Sequence, residues 1–106
     1  MMFGLATSEY DYIRKTVVMP LANCDAQVYC FGSRARGDHS RFSDLDLMVE
    51  SDKDLSNLIG ELKERLTESN FPYKVDLVEF RHFAESYKAD YLQERKLFPS
   101  QPDIHP

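Results

Sequence analysis

Apolar residues recur at helical spacing near the start of the chain. Tyr10, Ile13, Val17 and Leu21 fall on one face, the signature of an amphipathic helix. Ser8 stands in an N-cap position and Pro20 marks the end, so the pattern predicts a helix from Ser8 to about Val18. The rhythm then changes. Residues 26–31, AQVYCF, form a short apolar run rich in strand formers, interrupted by Gly32-Ser33. A short helical turn over Arg34–Gly37 and a polar loop over His39–Ser43 follow. Residues 44–50, DLDLMVE, alternate, with Asp44 and Asp46 on one side and Leu45 and Leu47 on the other. Leu55, Leu58, Ile59, Leu62 and Leu66 stripe the next helix, which Ser51 or Asp54 can cap and Ser69-Asn70 and Pro72 close. Residues 73–80, YKVDLVEF, read as a third strand. A last helix, about 83–95, carries Phe83, Tyr87 and Tyr91 four apart; such a stripe generally packs inward, and a docking face is the other reading. The order predicts an α/β fold: a small mixed sheet of about three strands flanked by helices.

The chain is 106 residues long, which points to one domain with a single core. We assign that domain to residues 1–98. The tail at 99–106, PSQPDIHP, is expected to be extended and flexible. No stretch approaches the roughly 20 apolar residues of a membrane span, and the start lacks the basic-then-apolar order of a signal peptide. A cytoplasmic location is the default expectation. Cys24 and Cys30 form no CxxC and are expected to be reduced thiols, Cys30 within a buried strand. His39, His82 and His105 show no metal-ligand spacing.

Thirteen Lys and Arg stand against eighteen Asp and Glu, a net charge of −5. That balance argues against stable nucleic-acid binding, which draws on a basic surface. Charge is uneven, however. Arg34, Arg36 and Arg41 cluster immediately before Asp44 and Asp46.

That contrast lies within residues 32–47, GSRARGDHSRFSDLDL. Gly32-Ser33 follows a strand and opens a helical turn, where free N–H groups favour an anion and the Ser33 hydroxyl adds a donor. Arg34 and Arg36 can supply charge-assisted hydrogen bonds to phosphate. Alone, a Gly-Ser turn is usually only a turn, and the lysine and spacing of a P-loop are missing. Asp44 and Asp46, two apart on a strand, project to one face roughly 6–7 Å apart. Such a pair suits magnesium, which takes one or two carboxylates together with phosphates and water; solvated acids on an edge strand are the bland reading. Asp76 adds weight, because it interrupts the apolar run Val75–Val78, where a charge is costly unless paired or metal-bound. Lys74 is read as pointing to the opposite face and so as a poor partner for it.

Gly-Ser, ten residues, Asp-x-Asp, then an Asp on a later strand resembles the nucleotidyltransferase superfamily of DNA polymerase beta. GSRARG is especially similar to the minimal nucleotidyltransferases. The resemblance spans about residues 8–95. It implies a nucleotidyltransferase fold and two magnesium ions held by Asp44 and Asp46, with Asp76 completing the metal site and helping to deprotonate an acceptor hydroxyl. It implies ATP as substrate, its β and γ phosphates held by Ser33 and the N–H groups after Gly32. It also implies a partner, since minimal members commonly pair as antitoxins with a HEPN-type RNase toxin, and some transfer AMP to a tyrosine of that partner. Two alternatives stand beside this reading: a non-catalytic antitoxin that neutralises its partner by steric contact, and a transferase acting on a small molecule.

Overall fold

The computed structural model describes residues 3–101. The first helical segment has three parts: α1 (Thr7–Ile13), a π-helical turn (Arg14–Val18) and α2 (Met19–Ala22). The helix begins one residue before Ser8. Its opening is secured not by a Ser8 cap but by Glu9, whose Oε1 accepts the Ala6 N–H at 2.8 Å. Pro20 does not end it. The wide turn just before Pro20 loosens the i→i−4 ladder, where a residue without an N–H is accommodated, and the chain continues to Ala22. The expected stripe is inward: Tyr10, Ile13, Val17 and Leu21 are all buried.

The sheet has four strands in the order β3-β2-β1-β4: β1 (Gln27–Phe31), β2 (Leu45–Glu50), β3 (Val75–Glu79) and β4 (Lys96–Leu97). β1 pairs antiparallel with β2 and β4. β2 and β3 run parallel, so a crossover must join them, and α4 (Ser56–Glu68) supplies it. Asp54 prepares α4, its Oδ1 accepting the Ser56 N–H at 3.1 Å. The expected three strands omitted β4, whose two residues are too short to show a pattern.

Alternation gives the sheet two different faces. Leu45, Leu47 and Val49 of β2, with Val28, Cys30 and Leu77, point to the main core with Ile13, Val17, Leu21, Ile59 and Leu62. The opposite face carries Asp46 and Met48 of β2, with Asp76 and Phe31 beside Asp46 in the pairing register. α5 (Glu85–Glu94) follows a 3-10 turn at Phe80–His82 and starts two residues later than the helix expected from Phe83. Phe83 is extended between the two, and its ring meets Phe31 at 6.1 Å and Tyr91 at 5.8 Å. Tyr91 is buried, whereas Tyr87 of the same stripe is 62% exposed. The stripe is therefore core at one end and surface in the middle. No helix among the described residues is long and apolar enough to cross a membrane.

The chain beyond β4 is fastened as far as Ser100. The Phe98 N–H donates to the Val28 carbonyl at 2.9 Å, and its buried ring stacks on Tyr10 with centroids 4.6 Å apart. Buried Arg14 pairs with Asp11 at 3.0 Å and donates to the Ser100 carbonyl at 3.3 Å. Of the expected flexible tail, residues 102–106 lie outside the described residues. Phe98→Ala is expected to cost roughly 3–5 kcal/mol in urea unfolding, the range for truncating a buried aromatic. A loss below about 1 kcal/mol would mean that residues 96–98 do not dock as described.

Candidate active site

β1 ends at Phe31, and Gly32 turns the chain into α3 (Ser33–Arg36). Two features demand glycine. Its φ of +73° lies in the left-handed region, and a Cβ there would sit 2.4 Å from Oδ2 of Asp46. The turn thus passes directly over the β2 carboxylate. The N–H groups of Ala35 and Arg36 both bond back to the Gly32 carbonyl at 3.1 Å. The first two donors of α3, on Ser33 and Arg34, have no partner among the described residues, nor has the Ser33 hydroxyl. Gly37, at φ +85°, ends the turn.

Asp46 and Asp76 are register partners on adjacent parallel strands, so their backbones lie about 4.8 Å apart and both side chains rise on the α5 face. Asp44 sits exposed one residue before β2. Burial, then the neighbouring Asp76 and Asp44, push the Asp46 carboxyl up to about 6 from its usual 3.8. Lys74 lies on the same face as Asp76, not the opposite one as expected, because residues two apart on a strand share a side. Its Nζ stands 3.9 Å from Asp76 Oδ1, at the limit of an ion pair between two largely solvated groups. Below the site, burial first and then Asp46 push the Cys30 thiol up to about 12, so it stays protonated and unreactive. Both cysteines are free thiols.

The arginines divide. Arg34, expected to face phosphate, turns inward and is 3% exposed. Its Nε donates to the Ser43 carbonyl at 3.0 Å, its Nη1 donates to the Phe3 carbonyl at 2.9 Å, and its guanidinium lies 4.3 Å from the centre of the Tyr73 ring. Its side chain braces the loop that delivers Asp44, and only its backbone N–H faces the turn's open end. Arg36 stays at the surface, donating to Asp38 and to Glu94, each at 3.1 Å. Glu94 also accepts the Gly32 N–H at 3.0 Å. Sequence reasoning missed Glu94, which stands 62 positions from Gly32 and outside every local motif.

Among the described residues no group of three or more His, Cys, Asp or Glu side chains is placed to hold a metal ion by itself, Asp44, Asp46 and Asp76 included. The donor set nevertheless fits magnesium, which needs only one or two carboxylates when phosphate and water fill its other positions. Asp46 carries the evidence of fit: a half-buried carboxylate with Asp76 beside it in the register, its charge opposed by burial first and then by Asp76 and Asp44. Its raised pKa has a consequence for stability. Between about pH 4 and 6 the folded chain binds this proton and the unfolded chain does not, so the metal-free protein loses stability as pH rises through that window. Asp46→Asn is therefore expected to raise the melting temperature at pH 7.5, without divalent metal, by roughly 2–5 °C, with the difference vanishing below about pH 4. Equal melting temperatures at pH 7.5 would show that Asp46 is not under this strain.

Comparison with known proteins gives concordant results. The family model described as "Nucleotidyltransferase domain" matches residues 12–99. The Haemophilus influenzae protein named "Probable protein adenylyltransferase MntA" is 38% identical over 82 residues, covering 76% of this chain and 71% of that protein. In fold, the chain resembles a crystal structure of a toxin-antitoxin with AMP-PNP, with a TM-score of 0.61 and 24% identity over 84% of this chain and 74% of that one. With a matching family model that spans most of its length, the chain belongs to the nucleotidyltransferase family.

Proposed function

We propose that this protein is a magnesium-dependent nucleotidyltransferase that moves AMP from ATP to a protein partner, and that the partner is a HEPN-type toxin which it neutralises as an antitoxin. The observation that carries the reading is the register of Asp46 and Asp76 beneath the Gly32–Ser33 turn. Carboxylates for a cation and free donors for phosphate meet at one place. The adenylyltransferase name of the Haemophilus relative supports AMP and a protein acceptor, and the toxin-antitoxin neighbour agrees with a toxin as that acceptor.

In this reading the Ser33 and Arg34 N–H groups and the Ser33 hydroxyl bind oxygens of the β and γ phosphates. Asp44 and Asp46 hold the cation with Asp76 completing the set. When bound, magnesium supplies charge neutralisation of the triphosphate and acidifies an acceptor hydroxyl. Asp76 stands on the edge strand, where it also lines a groove of about 690 Å³ between β3 and α4. An acceptor hydroxyl arriving at the part-exposed Asp76 side chain on the α5 face would meet an Oδ atom able to take its proton. It then attacks the α-phosphate in line as pyrophosphate leaves, and the gain comes from positioning and charge.

The test uses ATP labelled on the α-phosphate, magnesium and lysate of the source organism. Wild-type protein is expected to label one protein band. Asp44→Asn is expected to lose at least about 100-fold in labelling, the scale on which misplaced reacting groups cost rate, with its fold intact. Equal labelling by Asp44→Asn would remove the assignment. No labelling, together with toxin protection by Asp44→Asn at natural expression levels, would establish neutralisation by contact alone.

A further inference from the structure

Gly32 has no side chain to fix its own position, yet it passes over Asp46 with no room even for a methyl group. Its N–H is held instead from the far end of the chain. Glu94, the last residue of α5, accepts the Gly32 N–H through Oε1 at 3.0 Å and the Arg36 Nη1 through Oε2 at 3.1 Å. One carboxylate therefore clamps both ends of α3. The clamp is itself anchored on either side. Tyr91 is buried among Phe31, Phe80 and Phe83 and donates to Glu50. Arg95 donates to the same Glu50 carboxylate, and Lys96 pairs with Cys30 in the sheet. Arg36 balances the charge of Glu94, and the Ser33 and Arg34 N–H groups are left untouched.

We infer that Glu94 is a positioning residue: acting through Gly32, it fixes the height of the phosphate turn above Asp46, so that triphosphate and cation bind as a unit. The inference rests on the nucleotidyltransferase reading of the site. It differs from a role as internal competitor, in which the carboxylate would occupy the phosphate position. In the structure Glu94 holds a donor that lies beside the free ones, not the free ones themselves.

The experiment measures the dissociation constant of AMP-PNP in EDTA and in magnesium for wild type, Glu94→Ala and Glu94→Gln, with hydrogen exchange of the Gly32 amide alongside. In wild type, magnesium is expected to tighten binding at least about tenfold, within the usual range of coupling between two sites. In Glu94→Ala that gain is expected to fall to about twofold or less, with EDTA affinity within about threefold of wild type and the Gly32 amide exchanging freely. Glu94→Gln, whose amide oxygen still accepts the Gly32 N–H, is expected to keep both the gain and the protection. If Glu94→Ala does not fold, Glu94→Asp, one methylene too short to span Gly32 and Arg36, is expected to show the same loss of gain. A full magnesium gain in the Ala or Asp variant overturns the inference, as does tighter binding in EDTA, the mark of a competitor. Wild type that binds AMP-PNP in neither buffer overturns both the inference and the proposed function, and is thereby distinguished from a failure of Glu94 alone.

Discussion

Two carboxylates that repel one another organise this molecule. Asp46 and Asp76 are brought level by the parallel pairing of β2 and β3, and Asp46 is half-buried under a glycine that leaves no room above it. Without a cation this arrangement opposes ionisation of Asp46: burial first, then Asp76 and Asp44, push its carboxyl up. The remaining structure supplies what holds the pair in place. α4 joins the two parallel strands, and Leu45, Leu47 and Leu77 bind the reverse side of the same strands into the main core. Strain of this kind at a site is a familiar feature of proteins whose ligand relieves it.

The division of the sheet explains how so short a chain combines stability with an open site. One face buries aliphatic residues against α1, α2 and α4. The other is covered by the aromatic side chains around α5 only in part, so the Asp46 end stays accessible. α5 thus has two duties, burying Tyr91 among Phe31, Phe80 and Phe83 and presenting Glu94 to the Gly32 turn. A second anchor, Arg34, works from within. Its guanidinium bonds to the carbonyls of Ser43 and Phe3 and so ties the loop ahead of Asp44 to the amino-terminal segment.

Much of this was legible in the sequence because its signals are local. Period-two alternation sets Asp46 on the face opposite Leu45 and Leu47, although Asp44 falls one residue before β2, and an acid inside Val75–Val78 stands out in the pattern, although at the sheet edge Asp76 is part-exposed rather than buried. Gly32-Ser33 is readable as a turn because two adjacent residues suffice. The same alternation puts Lys74 beside Asp76. Other features depend on distant contacts. β4 has two residues and becomes a strand only through its pairing with Tyr29 and Cys30. Arg34 and Arg36 look equivalent in sequence, and only the packing of α3 against the sheet decides that one is buried and the other exposed. Pro20 looks like a helix end, but the π-helical turn that accommodates it has no sequence signal of its own. Glu94 belongs to the site only because α5 folds back onto it.

The charge state of Asp46 is where the readiness of this site for a cation is most directly visible. A ¹³C NMR titration of its carboxyl, first in metal-free buffer and then with magnesium and AMP-PNP, reads that state at the atom concerned. The expected result is a midpoint near 6 without ligand and a marked fall once cation and triphosphate are bound, because a nearby positive charge favours the carboxylate. A midpoint at the ordinary value of 3.8 in metal-free buffer, unmoved by magnesium and AMP-PNP, would contradict the claim that this carboxylate pair is held in readiness for a cation.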